Sequence, residues 1–397
     1  MALSERLNTP ISTAELERRW QAVRSAMEKE KIDVLLMQNN NDYMGGYVRW
    51  FTDIPATNGY PQTVVFPRDD EMSVVCQGPF GADRRPPDDQ QVWRGVKRLL
   101  NTPSYASAHY TKEYDPELAA KALAPFAKGT IGYVGTYQMS FAMLDFMKRT
   151  FPQATFVDAT EMVDKIKVIK SPEEMELVKR AAAMQDGAMK AAFAAVKPGM
   201  RDVEVAAVAQ HYSLVNGSEN GIYLCASMPL GKPSTFANRH LQNRVIQKGD
   251  QIALLVEDNG PGGMYTELGR SCVVGKVPQQ MKDELAFCIE ARKFTLDLLK
   301  PGTPCKDIWD AYNGFMRKNG RPEESRLYCH GQGYDLVERP LIRNDEPWAI
   351  EKDMNIVVHP TYLHAGYLNW LCDNYLIGGN GPGDRLHQFP EEVVEVG

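Results

Sequence analysis

Glu267 and His330 are the residues of this sequence whose types and settings best suit chemistry. Glu267 lies within residues 256–270 (VEDNGPGGMYTELGR), where an apolar run from Ile252 to Val256 enters a Gly/Pro-rich turn and a second run leaves toward Val273 and Val274. Two short apolar runs around such breakers predict a hairpin. A carboxylate where the second strand begins lies inside a domain core, and burying it is costly unless it is paired, hydrogen-bonded or used. Glu267 is therefore read as a candidate catalytic residue, with a structural pairing to Arg270 as the competing explanation. His330 opens His-Gly-Gln-Gly, whose glycines permit close backbone approach. An imidazole titrates near working pH and suits a proton donor. A carboxylate and a histidine together can attack a carbon or activate water, then protonate a leaving group. His359, followed by Pro360, reads equally as a site residue and as a polar residue satisfied at a strand end.

The elements that must position these residues show an internal echo. Ser171-Pro172-Glu173-Glu174 opens a helix with a capping serine, proline at the first helical position and glutamate three residues after the cap. Lys197-Pro198-Gly199 stops that helix and Lys300-Pro301-Gly302 stops another; Asn216-Gly217 and Asn319-Gly320 close the helices that follow. Lys248 and Lys352 precede the strands at Ile252 and Ile356. Two tandem helix-helix-strand-strand units predict an α+β domain with a pseudo-twofold repeat. In the first half, residues 13–30 carry Leu16, Trp20, Val23 and Met27 at helical spacing, and short apolar strands alternate with helices, which predicts an α/β domain. Residues 39–60 read as an irregular loop. Its Tyr43, Tyr47, Arg49, Trp50 and Phe51 are either anchors or a binding surface for a small charged, partly apolar ligand. Trp93 and Tyr105 carry the same two readings. The expected domains are residues 1–162 and 163–397.

Hydrophobic residues at 43%, charged residues at 24% and a formal net charge of −6 describe a soluble globular chain with no nucleic-acid footprint. No run is long enough to span a bilayer, and the first residues lack the apolar centre of a signal peptide. Seven cysteines without a CxxC pair predict reduced thiols in a cytoplasmic protein rather than a zinc cluster.

Several motifs recur here in a family's order and spacing: KVIKSPEE at 167–174, KPGM at 197–200, residues 263–270, HGQG at 330–333, Val358-His359-Pro360 and CDNYLI at 372–377. Over residues 160–390 the chain resembles the creatinase/prolidase/methionine aminopeptidase superfamily, M24-like enzymes of the pita-bread fold. Its first half is similar to the creatinase-type N-terminal domain. Metal-dependent members hold two divalent ions with two aspartates, a histidine and two glutamates. Aligned by motif, these positions fall on Val256, Glu267, His330, His359 and Cys372. Two dications need several carboxylates, so the resemblance implies a metal-independent enzyme with no cofactor. A single zinc or iron ion on Glu267, His330, His359 and Cys372 is the competing arrangement.

Among metal-free members the chain resembles the ectoine hydrolases. The carboxylates with which creatinase grips a guanidinium would fall on Cys372 and Gly269, so that grip is missing. Arg343 falls where creatinase binds the substrate carboxylate, and His240 falls close to its catalytic histidine. The implied reaction opens the cyclic amidine ring of ectoine, with hydroxyectoine a second substrate, to N-acetyl-2,4-diaminobutyrate. Glu267 would be nucleophile or base, and His330 and His240 proton donors. Arg343, Tyr47, Trp50, Trp93, His359 and Asp373 would contact substrate. The resemblance also implies a homodimer, with one subunit's N-terminal domain closing over its partner's site, and a deacetylase acting next. Two other readings remain: a metal-dependent lyase or Xaa-Pro-type peptidase of the same fold, and a non-catalytic pita-bread binding protein.

Overall fold

The computed structural model describes residues 9–39, 46–55, 60–87, 91–103 and 113–397, and absences below refer to these residues. The chain divides into two compact units, Met1–Lys167 and Val168–Gly397.

In the first unit, β1 (Val34–Asn39), β2 (Gln62–Pro67), β3 (Met72–Gln77), β4 (Asp83–Arg84), β5 (Val96–Thr102), β6 (Thr130–Val134) and β7 (Thr155–Asp158) form one mixed sheet, ordered β4-β5-β3-β2-β1-β6-β7. Helix α1 (Thr13–Glu30) buries the expected stripe of Leu16, Trp20, Val23 and Met27, and Ser12 caps it by accepting from Glu15 N at 3.1 Å. The segment expected to be an irregular loop instead winds into α2 (Tyr47–Thr52), with every side chain buried. Its carbonyls are satisfied from α1: Arg19 Nη1 donates to Trp50 O at 2.9 Å and Trp20 Nε1 to Phe51 O at 2.8 Å. A helix this short shows no periodicity in sequence. Three further helices, α3 (Tyr114–Leu123), α4 (Phe141–Thr150) and α5 (Thr160–Lys167), complete the described part of the unit. Tyr43 and Tyr105 lie outside the described residues.

The second unit repeats one theme twice. Helices α6 (Pro172–Ala195) and α7 (Asp202–Val215) lead into β8 (Gly221–Pro229), β9 (Asp250–Asn259) and β10 (Tyr265–Val274). Helices α8 (Gln279–Leu298) and α9 (Cys305–Lys318) lead into β11 (Cys329–Gly331), β12 (Glu338–Leu341), β13 (Asn355–Val358), a hairpin of β14 (Thr361–His364) and β15 (Tyr367–Trp370), and β16 (Asp373–Gly378). The predicted stops hold: Gly199 and Gly302 take φ of 95° and 92°, the left-handed region that glycine enters without strain. One core lies under α6 and α7 around Met189, Leu254, Val256 and Leu268; the other lies under α8 and α9 around Cys288, Ile308, Tyr328 and Ile356. The two sheets are stitched where Gly269 and Cys372 exchange backbone hydrogen bonds of 3.3 and 3.4 Å. All seven cysteines are buried and free of disulfides, and no described helix is long and apolar enough to cross a membrane.

Candidate active site

The pairing of β9 with β10 sets Glu257 directly opposite Glu267, while Val256 opposes Leu268. Side chains alternate along a strand. Val256 and Leu268 enter the helix-covered core, so Glu257 and Glu267 share the other face. Motif alignment had left one acid here, with Val256 at the first ligand position; the register supplies a second acid, Glu257.

The stitched second sheet brings in the remaining groups. His330 lies on β11, His359 directly after β13 and Cys372 directly before β16. The Cys372 thiol donates to Glu267 Oε1 at 2.9 Å. Glu267 Oε2 lies 3.9 Å from His330 Nε2 and 4.0 Å from His359 Nε2. His330 Nδ1 is 2.9 Å from Gly331 O. A carbonyl only accepts, so Nδ1 carries the proton and Nε2 presents its lone pair. His359 Nε2 is buried with no hydrogen-bond partner among the described residues. Two carboxamides hold the acids. Asn374 Oδ1 accepts from Glu267 N at 2.8 Å, Asn374 Nδ2 donates to Gln332 Oε1 at 2.8 Å, and Gln332 Nε2 donates to Glu257 Oε1 at 2.9 Å. This relay fixes both acids relative to each other.

Burial sets the charge states. It pushes Glu267 up to about 7, against the opposing pull of the Cys372 hydrogen bond and the Arg326 charge. Glu257 is driven well above the usual carboxylate range by burial and by the Glu267 charge beside it. The two titrate as a pair. Burial also lowers His330 to about 4 and drives His359 well below its ordinary value. Burial disfavours the protonated ring that the donor role expected of His330 requires, and the nitrogen that faces Glu267 presents its lone pair. Burial and the Glu267 charge raise the Cys372 thiol, which stays protonated.

Several expected site residues lie elsewhere. His240 is exposed on a 3-10 turn (Arg239–Leu241) and joins none of the cluster's hydrogen bonds. Asp373 alternates to the face opposite Cys372, where it pairs with Arg270 at 2.8 Å and with Arg292, both buried. That pairing also removes Arg270 as the structural partner of Glu267. Arg343 is exposed and held by Asp345 at 2.9 and 3.0 Å. Tyr47 donates to Asp164 at 2.8 Å, and Trp50 is fully buried edge-on to Phe51, so both pack inside the first unit. Trp93 lines a surface cleft of that unit with Trp20, Arg24 and Arg94. His359, by contrast, does join the cluster. Sequence reasoning gave no role to Gln332, Asn374 or Trp370. A Cβ on Gly269 would fall 1.7 Å from Trp370 Cζ3, so the indole lies directly on that glycine, with Phe236 edge-on at 4.5 Å. A glycine inside a strand was the available signal for this close approach.

The fold family implies two metal ions, and these residues do not fit a pair. Val256 points into the core, Cys372 is a thiol already donating, and one oxygen of Glu257 is taken by Gln332. One ion does fit: Glu267, His330 and His359 each offer a donor atom, all within 4.8 Å of one another.

Comparison with known proteins agrees with this architecture. Residues 176–386 match the metallopeptidase family M24, and residues 19–169 match the creatinase/prolidase N-terminal domain. An Xaa-Pro dipeptidase of Pyrococcus furiosus is 24% identical over 273 residues, 67% of this chain and 75% of its own. A creatinase of a Bacillus species is 21% identical over 378 residues, 90% of this chain and 83% of its own. The crystal structure of an X-Pro aminopeptidase from Thermotoga maritima superposes with a TM-score of 0.79 at 16% identity, covering 95% of this chain and 99% of that one.

Proposed function

The chain belongs to metallopeptidase family M24, and from that membership and its altered ligand set we propose a metal-independent hydrolase that opens the cyclic amidine ring of ectoine. The observation that carries this reading is a set of four buried polar groups gathered at one place: the carboxyls of Glu257 and Glu267 and the Nε2 atoms of His330 and His359. No Lys or Arg is hydrogen-bonded to any of the four among the described residues. An amidinium supplies what they lack, a positive charge spread over N–H donors that flank an electrophilic carbon.

Glu267, ionised above about 7, adds to the amidine carbon or takes a proton from the water that does. Glu257, kept protonated by burial and its neighbour's charge, gives its proton to the departing ring nitrogen. One water is consumed, one C–N bond breaks, and N-acetyl-2,4-diaminobutyrate leaves. The two imidazoles accept amidine N–H groups, and Trp370 with Phe236 walls the ring's methylenes. Hydroxyectoine is a second substrate, and a deacetylase consumes the product. Retention of this polar cluster speaks against a non-catalytic binding role. Glu267→Gln is expected to keep its fold and to lose ring opening by on the order of 10³-fold or more, followed by NMR of ectoine. An active variant would overturn the assignment.

A second reading is favoured by the 4.8 Å triangle of Glu267, His330 and His359. A single zinc or iron ion there would polarise a substrate carbonyl or activate water, in a peptidase or lyase. Near-stoichiometric metal in the purified protein, with activity lost on chelation, separates this reading from the first.

A further inference from the structure

Ectoine bears a carboxylate as well as an amidine, and the acids around Glu267 repel it. The carboxylate needs a cation at the edge of the site. Arg343 is already occupied by Asp345. Arg326 meets the requirement from the segment that leads into β11. Its backbone N–H donates to Glu324 Oε1 at 2.7 Å, and Glu324 N–H donates to Asn313 Oδ1 on α9 at 2.8 Å, so the segment is pinned. Two residues further on, Tyr328 O accepts from His359 N at 2.8 Å. The chain therefore passes beside His359, and Arg326 is about 7 Å along it from that contact, within reach of a long side chain. Its side chain is exposed, with no hydrogen-bond or ion-pair partner among the described residues.

We propose that Arg326, rather than Arg343, receives the carboxylate of the substrate through the paired N–H groups of its guanidinium. Arginine suits a carboxylate because its planar fork donates to both oxygens at once. The assignment rests on the ring-opening reading above. It makes Arg326 a specificity-determining contact: the amidine is held by the buried acceptors, and the acid function by a cation at the rim.

The test compares wild type, Arg326→Gln, Arg326→Lys and Arg343→Gln on ectoine, and measures competitive inhibition by the same methylated cyclic amidine without its carboxylate. Arg326→Gln is expected to raise KM for ectoine roughly 10- to 100-fold with kcat within about threefold. Inhibition by the carboxylate-free ring should be unchanged, Arg326→Lys should recover part of the loss, and Arg343→Gln should behave as wild type. Wild-type turnover of ectoine with an unimpaired Arg326→Gln variant would overturn the Arg326 assignment alone, as would equal weakening toward both rings. A wild-type protein that neither binds nor opens ectoine would overturn the ring-opening reading and this assignment together.

Discussion

In the proposed ring opening, two carboxyls of the same type serve as base and acid. Glu267 titrates near 7 with a thiol hydrogen bond to its ionised form, while Glu257 is held protonated beside it. The base must be ionised, so kcat/KM should rise with pH through about 7. Cys372→Ala removes a bond that favours the carboxylate, and Glu267 then holds its proton to higher pH. The acid limb should move upward by roughly half to one pH unit, and a pH–rate profile that does not move contradicts this role for the thiol. Glu267 and His330 were legible from residue type and neighbours. Glu257 was not, because a one-residue difference in hairpin register exchanges the two faces of a strand, and motif counting had placed Val256 there. The protonation of His330 was also hidden, since burial and the Gly331 carbonyl set it.

The site exists where two strand systems from the two halves of a repeat touch, at Gly269 and Cys372. Gly269 is a packing requirement as much as a backbone one. Gly269→Ala would drive a methyl into the Trp370 indole, at a cost of about 1–3 kcal/mol, and thermal unfolding should show a Tm several degrees lower. A Tm equal to wild type would mean the indole moves aside without cost. The repeat itself was legible, because Lys-Pro-Gly and Asn-Gly pairs stop helices for reasons of backbone conformation. Asp373 was assigned to the site as the neighbour of Cys372, although alternation along β16 sends adjacent side chains to opposite faces. Arg270 and Arg292 neutralise it there. The arginines of the connecting segments, Arg326 and Arg343, follow no periodicity, and only the path of the chain distinguishes a rim cation from one spent on Asp345.

At the scale of the molecule, motif order along the second half gave the family and the architecture, and both are matched by the metallopeptidase M24 region and the creatinase-type N-terminal region. The aromatics of the first half were less legible. Tyr47 and Trp50 have the composition of a ligand-binding loop but are consumed by packing inside their own unit. The homodimer that the family resemblance implies predicts a solution mass of twice the 44.6 kDa of one chain by light scattering; a mass of one chain at micromolar concentration would contradict it. The central claim, an amidine opened by two acids without a metal, is tested most directly by following ectoine by NMR with protein stripped of metal and verified as such by elemental analysis. The account predicts undiminished conversion to N-acetyl-2,4-diaminobutyrate. Conversion that stops on stripping and returns with zinc or iron would contradict it.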